Sequence, residues 1–503
     1  MHNKSFTDEI QAKASASFKW SALGEGATRL SQPLLLLVLS RLLTPGDFGL
    51  VAVAIAVIGI AQVWQDFGLG KTLVQLETDF EAGANVVFWL NLFLSTAIYG
   101  GILLFAAPIA EVFRAPEAIP VIRLLTLRVV ISGLTSVQQG ILQRNLDYRT
   151  LFFSRVLAAG VPVVVSVPMA IMGCGVWSIV SGALLGSIAQ SAFLWWRSSW
   201  RPLLGFDLEV ARRLFKFSQW VFLEGLLTSV INWGDSVIVA HYLGPVKLGV
   251  YQLAMSLIRA AYGLVLSPTT PVAYSLFAKL RRMPVELFAA YLQTTSFLVM
   301  ICSLGATMAN IMAVPGMVWV LGPQWSGADA IVAILCLLII SDSSVCCLPN
   351  LMTAVGRPDV NVRALLVICA FSIPLFIVTA KLGLIAFAWS RLILVVIDNV
   401  VILIMAARVI QFQWGLFVRM LVPPTLSAAS VIALFSMFES IWVPDSLLKL
   451  IVEATVGGIL FLGGVRVLDR KALARAWEHA GNIIGLRSRA VAKDWTVKTD
   501  SGG

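Results

Sequence analysis

No Asp, Glu, Lys or Arg occurs in residues 156–196 or in 287–328, and 83–110 is a third run of the same kind. A helix needs about 20 apolar residues to cross the hydrocarbon core of a bilayer. The two longer runs are about twice that length, so each predicts two spans joined by a turn. Small-residue breaks offer the turns: Met172-Gly173-Cys174-Gly175 in the first, and Val314-Pro315-Gly316-Met317 with Gly322-Pro323-Gln324-Trp325-Ser326-Gly327 in the second. Only 13% of the chain is charged and 58% is hydrophobic, against about 25% charged in a soluble domain. In lipid the backbone must satisfy its own polar groups, which leaves helices or closed barrels. The long uninterrupted apolar runs select helices. A hydropathy window therefore predicts an all-α polytopic membrane protein with about 14 transmembrane helices. The expected spans lie near 19–42, 48–66, 84–111, 120–142, 152–172, 176–196, 218–243, 247–278, 287–312, 328–354, 361–380, 383–407, 417–438 and 446–467. Thr44-Pro45-Gly46-Asp47 reads as the turn between the first two, because proline and glycine end one helix and admit the next.

Lysine and arginine sort by loop, and that bias sets orientation. With the N-terminus inside, the inside loops hold Arg144, Arg149 and Arg155, then Arg197, Arg201, Arg212, Arg213 and Lys216. Lys279, Arg281, Arg282, Arg357, Arg363, Arg408 and Arg419 follow, and the tail adds Arg466, Arg470, Lys471, Arg475, Arg487, Arg489 and Lys493. Outside loops keep Arg41, Arg114, Lys247, Lys381 and Lys449. Both termini are thus expected in the cytoplasm, and the formal charge of +10 is mostly this bias. A nucleic-acid partner would need those charges on one compact face, so none is expected. The polar first 17 residues predict no removable signal peptide. Gly68-Leu69-Gly70-Lys71-Thr72 imitates the end of a phosphate-binding loop. That loop needs glycine where Gln65 stands, and a strand before it. No nucleotide or other cofactor is expected. His2, His241 and His479 are too scattered to share a metal, and the six cysteines read as small apolar helix residues.

The chain also repeats itself. Residues 20–54 align without a gap on 220–254, matching Trp20 with Trp220, Leu23 with Leu223, Thr28 with Thr228, Leu43 with Leu243, Pro45 with Pro245, Gly49 with Gly249 and Ala54 with Ala254. "CGVWS" (174–178) is echoed more weakly by "IAFAWS" (385–390). An internal repeat of this length implies two six-helix lobes. Six is even, so the copies cross the membrane in the same direction, and parallel repeats place a substrate path between two rocking lobes. The expected organisation is a cytoplasmic N-terminus (1–17), an N-lobe (18–196), a cytoplasmic basic linker (197–217), a C-lobe (218–407), two extra C-terminal helices (408–467) and a basic cytoplasmic tail (468–503).

"SRLLTPGDFGLVAVA" (40–54), "QDFGLGKTLVQ" (65–75), "GILQRNLDYR" (140–149) and "SPTTPVAYSLFAKL" (267–280) resemble the polysaccharide-transporter branch of the multidrug/oligosaccharidyl-lipid/polysaccharide exporter superfamily, the Wzx-type flippases. The resemblance covers about residues 15–410. It implies two six-helix lobes around a cationic cavity. It also implies transport of undecaprenyl-diphosphate-linked oligosaccharides across the bacterial inner membrane for O-antigen, capsule or exopolysaccharide assembly. The implied partners are the lipid-linked oligosaccharide and the bilayer, with polysaccharide polymerase and assembly proteins as candidates beyond them.

Ionisable groups inside spans cost about 2.5–3.5 kcal/mol each at a helix centre, so they are candidates for function. Arg29 and Arg259 fall mid-span, one in each expected lobe, and guanidinium suits bidentate contact with a diphosphate headgroup. Glu25 lies one turn from Arg29, with Gln32 beside them, and Gln252 shares a helical face with Arg259. Glu224, Asp235, Asp342, Arg391 and Asp398 complete the candidates for cavity wall or ion coupling. Arg123 and Arg128 fall in the fourth span. Intramembrane charges commonly pair with one another, which is the structural alternative for each. Three function classes follow. A lipid-linked oligosaccharide flippase fits the arginines. An ion-coupled exporter of small cationic drugs from the same superfamily is the alternative, and it favours acidic residues without arginines in its cavity. A membrane-embedded glycosyltransferase, polymerase or ligase needs carboxylates or histidines over a substrate, and the short outer loops lack them. The chain is therefore not expected to be an enzyme.

Overall fold

The computed structural model describes residues 26, 31–66, 80–145, 147–203, 205, 207–325, 327–438 and 447–470. Glu25, Arg29, the N-terminal segment 1–17 and the tail beyond Arg470 lie outside the described residues. The chain is built from helices α1 (Ser31–Leu42), α2 (Pro45–Asp66), α3 (Phe80–Val112), α4 (Ile119–Leu125), α5 (Leu127–Arg144), α6 (Tyr148–Ile171), α7 (Val176–Arg197) and α8 (Leu208–Leu243). It continues with α9 (Pro245–Leu280), α10 (Pro284–Leu321), α11 (Asp329–Ser343), α12 (Leu348–Ala354), α13 (Asp359–Leu382), α14 (Leu384–Ala407), α15 (Trp414–Phe438) and α16 (Leu447–Leu468). Among the described residues, 12 helical segments are long and apolar enough to cross a membrane, with α4–α5 and α11–α12 each forming one of them. The expected first span is described only as the shorter apolar α1. The expected seventh lies within α8, a continuous helix outside the 12, so the sequence count of 14 is not reached on length and composition. The helices turn large apolar side chains outward: Phe93 is 70% exposed and Leu104 80%. Water would penalise such surfaces, and a bilayer accepts them.

Three expected boundaries move. Pro45, Gly46 and Asp47 belong to the first turn of α2 rather than to a loop. Proline is favoured there because its missing N–H would have no helical partner. Thr44 caps the helix: the Asp47 carboxylate accepts from the Thr44 hydroxyl at 2.7 Å and backbone N–H at 3.0 Å. The Asp47 N–H returns a bond to the Thr44 hydroxyl at 3.3 Å, a reciprocal cap of the kind that stabilises helix starts. Asp47→Ala should cost about 1 kcal/mol, seen as a thermal midpoint a few degrees lower in the purified protein. Second, Val314-Pro315-Gly316-Met317 does not break α10, which runs on to Leu321, and the turn falls only at Gly322–Gly327. Third, the expected helix 328–354 is interrupted at residues 344–347, where Pro349 has no N–H to continue the ladder. The Tyr291 hydroxyl donates to the freed Ser344 carbonyl at 3.3 Å. The Met172–Gly175 break stands as expected, with Gly173 at φ 77° and Gly175 at φ 54°, a left-handed conformation that glycine adopts freely.

Contacts divide the chain into two units. Unit 1 comprises Met1–Ala260, Val318–Ile331 and Cys369–Ser390, and unit 2 comprises Ala261–Met317, Val332–Ile368 and Arg391–Gly503. In unit 1, Gly182 and Gly186 on α7 let it approach Ser166, Pro162 and the Ala158 carbonyl on α6, the small-residue packing that membrane helices favour. Phe88 lies edge-on to Trp89, Trp195 and Trp200, and the Leu203 N–H donates to Asn85 at 2.9 Å. In unit 2 the core gathers Phe277, Tyr291, Leu348 and Met352, all within 0% exposed.

The helix starts matched by the sequence repeat meet within unit 1. A Cβ placed on Gly49 would lie 1.9 Å from the Pro245 carbonyl oxygen, and one on Gly249 would lie 2.1 Å from that of Pro45. The two Pro-x-x-x-Gly starts therefore touch backbone to backbone, each glycine against the other helix's proline.

Candidate functional site

A cavity of about 510 Å³ opens within unit 1 between α1, α2, α8 and α9. Gln252, Ser256 and Arg259 line it from α9, at the i, i+4, i+7 spacing that puts them on one helical face. Gln32 and Pro33 line it from α1, Phe48, Val51 and Ile55 from α2, and Trp233 from α8. Apolar surface dominates, and among the described residues Arg259 is the cationic side chain in the lining, itself exposed. Trp233 is held by a slot: a Cβ on Gly59 would fall 2.1 Å from the indole ring. Such a wall suits a ligand with an anionic group and an apolar body, because guanidinium gives oxyanions two parallel hydrogen bonds.

Behind this wall lies a hydrogen-bonded chain. Asp235 on α8 is fully buried. One carboxylate oxygen accepts from the Tyr251 hydroxyl at 2.7 Å, while the other accepts from the Ser236 N–H and from the Ser236 hydroxyl at 2.9 Å. Gln252 donates its amide N–H to the Ser236 oxygen. Buried polar groups of this kind are costly unless bonded, and here the chain reaches the cavity lining through Gln252.

Unit 2 gathers three other expected residues. Arg391 on α14 acts electrostatically on both Asp342 of α11 and Asp398 of its own helix, and Tyr262 lies beside Asp342. The cluster sets one cation near two carboxylates, so opposite charge offsets part of the cost of their burial. Among the described residues no three His, Cys, Asp or Glu side chains are arranged to hold a metal.

The structure thus places Arg259 and Gln252 on the cavity wall with Asp235 behind them, and gathers Asp342, Arg391 and Asp398 separately. Glu224 falls on a part of α8 whose side chain lies outside the description, as Glu25 and Arg29 do. Arg128 donates to the Ser187 hydroxyl at 2.9 Å and so acts as a tie between α5 and α7. Ser256, Trp233 and the Tyr251–Ser236 pair were not singled out from sequence. Ser256 sits one turn from Gln252, so the helical face already carried that signal. Trp233 and Tyr251 look like ordinary core aromatics until their neighbours are known.

A family profile described as "Polysaccharide biosynthesis protein" matches residues 38–330. The succinoglycan biosynthesis transport protein ExoT of Rhizobium meliloti is 25% identical over 496 residues, covering 94% of this chain and 97% of that protein. The lipopolysaccharide biosynthesis protein WzxC of Escherichia coli is 23% identical over 373 residues, covering 70% and 72%. Among solved structures, the lipid II flippase MurJ in an inward closed conformation superposes with a TM-score of 0.72 at 14% identity, covering 90% of this chain and 100% of that one, a likeness of fold. Because the profile spans more than half of the 503 residues, the chain belongs to the polysaccharide biosynthesis protein family.

Proposed function

We propose that this protein is a flippase that moves undecaprenyl-diphosphate-linked oligosaccharide repeat units across the bacterial inner membrane by alternating access. The observation that carries the reading is Arg259 on the wall of the unit 1 cavity. An arginine kept in a span without a ligand is costly, and a diphosphate offsets that cost by charge-assisted hydrogen bonds. The apolar remainder of the lining suits the isoprenoid next to the headgroup. Relatives named for succinoglycan transport and lipopolysaccharide biosynthesis support the substrate class. The loop charges support cytoplasmic termini, which puts loading of substrate on the cytoplasmic side.

Deleting the protein tests this. The deletion strain should accumulate lipid-diphosphate oligosaccharide on the cytoplasmic leaflet and lose surface polysaccharide, with sensitivity to cationic dyes unchanged. Intact surface polysaccharide with raised dye sensitivity would instead support a drug exporter.

A further inference from the structure

The cavity wall carries more information than Arg259 alone. A carboxylate can only accept hydrogen bonds, so Asp235 fixes the direction of the chain behind the wall. Its two oxygens receive the Tyr251 hydroxyl, the Ser236 N–H and the Ser236 hydroxyl. With its hydrogen committed to Asp235, the Ser236 oxygen faces Gln252 as an acceptor. Gln252 must answer with N–H, as it does. Turning the amide over would set its carbonyl against the Ser236 oxygen, acceptor to acceptor, so Nε2 stays on Ser236 with one of its two N–H groups and Oε1 is not consumed by that contact. Gln252 lines the cavity two helical turns from Arg259, with Nε2 held by Ser236 and Oε1 left as its acceptor.

We infer that Gln252 is a specificity-determining residue: it reads a hydrogen-bond donor on the sugar attached to the diphosphate, and Asp235 is the positioning residue that keeps it an acceptor. The inference rests on the flippase reading, in which Arg259 holds the diphosphate. The two α9 positions are about 10 Å apart along the helix axis, and their side chains converge on neighbouring parts of one ligand. The carbon next to the phosphate-bearing carbon of a hexose carries a hydroxyl or an acetamido group. Both bring a donor to the place where Gln252 offers an acceptor.

The test uses the full-length protein in lipid nanodiscs and three probes: farnesyl diphosphate, its glucosyl conjugate, and the 2-deoxy-2-fluoroglucosyl conjugate. Fluorine keeps the size of the hydroxyl and cannot donate. Wild-type protein should bind the glucosyl probe about tenfold more tightly than the fluoro probe, the size expected when an acceptor desolvated by the ligand is left unpaired. Gln252→Met should bring that ratio to about one. Asp235→Asn should do the same, because an amide at 235 can donate to Ser236 and lets the whole chain reverse. Gln252→Met keeps the test open if Asp235→Asn does not fold, since it disturbs no buried carboxylate. Equal wild-type affinity for the two sugar probes, or a tenfold ratio that survives in Gln252→Met, would overturn the inference while leaving the headgroup reading intact. Failure of wild-type protein to bind farnesyl diphosphate at all would overturn the headgroup reading, and this inference with it.

Discussion

Alanine at Gly249 or at Gly49 should cost the protein most of its folded yield. The expectation rests on backbone, not on side chains that can step aside. The added methyl would have to share space with the Pro45 carbonyl in one case and the Pro245 carbonyl in the other, at 2.1 and 1.9 Å. Neither proline carbonyl can move without dragging the start of its helix, and the start of α2 is fixed by the Thr44–Asp47 cap. Overpacking a rigid contact costs about 1–3 kcal/mol and sometimes more, a large share of a net stability of about 5–15 kcal/mol. Monodisperse protein recovered by size exclusion should fall several-fold in either variant. Gly100→Ala and Gly463→Ala, where nothing lies within 4 Å of the new methyl, should leave it unchanged. The two substitutions strain one contact, so the double variant should lose less than the sum of the singles. Wild-type yield in Gly249→Ala would show that the close approach is not part of the folded state.

That contact also shows how far the sequence could be read. Pro45, Gly49, Pro245 and Gly249 stand out as repeat matches in the sequence alone, because the fold asks the same backbone geometry of both copies. Helix identity was legible for a related reason: apolar runs without charge admit few alternatives in lipid. Boundaries were less so. Val314-Pro315-Gly316-Met317 has the residues of a turn, yet α10 passes through it, since neighbouring groups in a membrane re-satisfy a backbone bond that proline removes. The site was half legible. Arg259 and Gln252 announced themselves as polar groups in a span, and their shared face followed from helical spacing. Asp235 was visible as an intramembrane carboxylate sharing a helical face with Glu224, but its partners were not. Its bond from Tyr251, and the Gln252 bond to the neighbouring Ser236, depend on α8 and α9 lying side by side, a tertiary fact with no local signature.

The other large effect is expected at Arg259. If the guanidinium holds the diphosphate by two charge-assisted hydrogen bonds, each worth about 1.5–3 kcal/mol, then Arg259→Ala should slow translocation by about a hundredfold or more. Expression should remain normal, because the residue is exposed on a cavity wall and does not fill a core position. Arg259→Lys should restore only part of the rate, since an ammonium keeps the charge but not the planar fork. Full activity in Arg259→Ala at normal expression would return this arginine to a structural role.

The most direct measurement is translocation by purified protein in sealed vesicles. A fluorescent farnesyl-diphosphate-linked sugar is incorporated in both leaflets, and a membrane-impermeant reductant bleaches whatever reaches the outer one. Protein-free vesicles and vesicles holding Arg259→Ala should stop at the outer-leaflet fraction. Vesicles holding wild-type protein should bleach to near completion, and an excess of unlabelled lipid-diphosphate sugar should slow them while cationic dyes do not. Bleaching by wild-type protein that stops where the protein-free vesicles stop, with a driving ion gradient or membrane potential imposed in either direction, would contradict flipping of a lipid-linked diphosphate sugar.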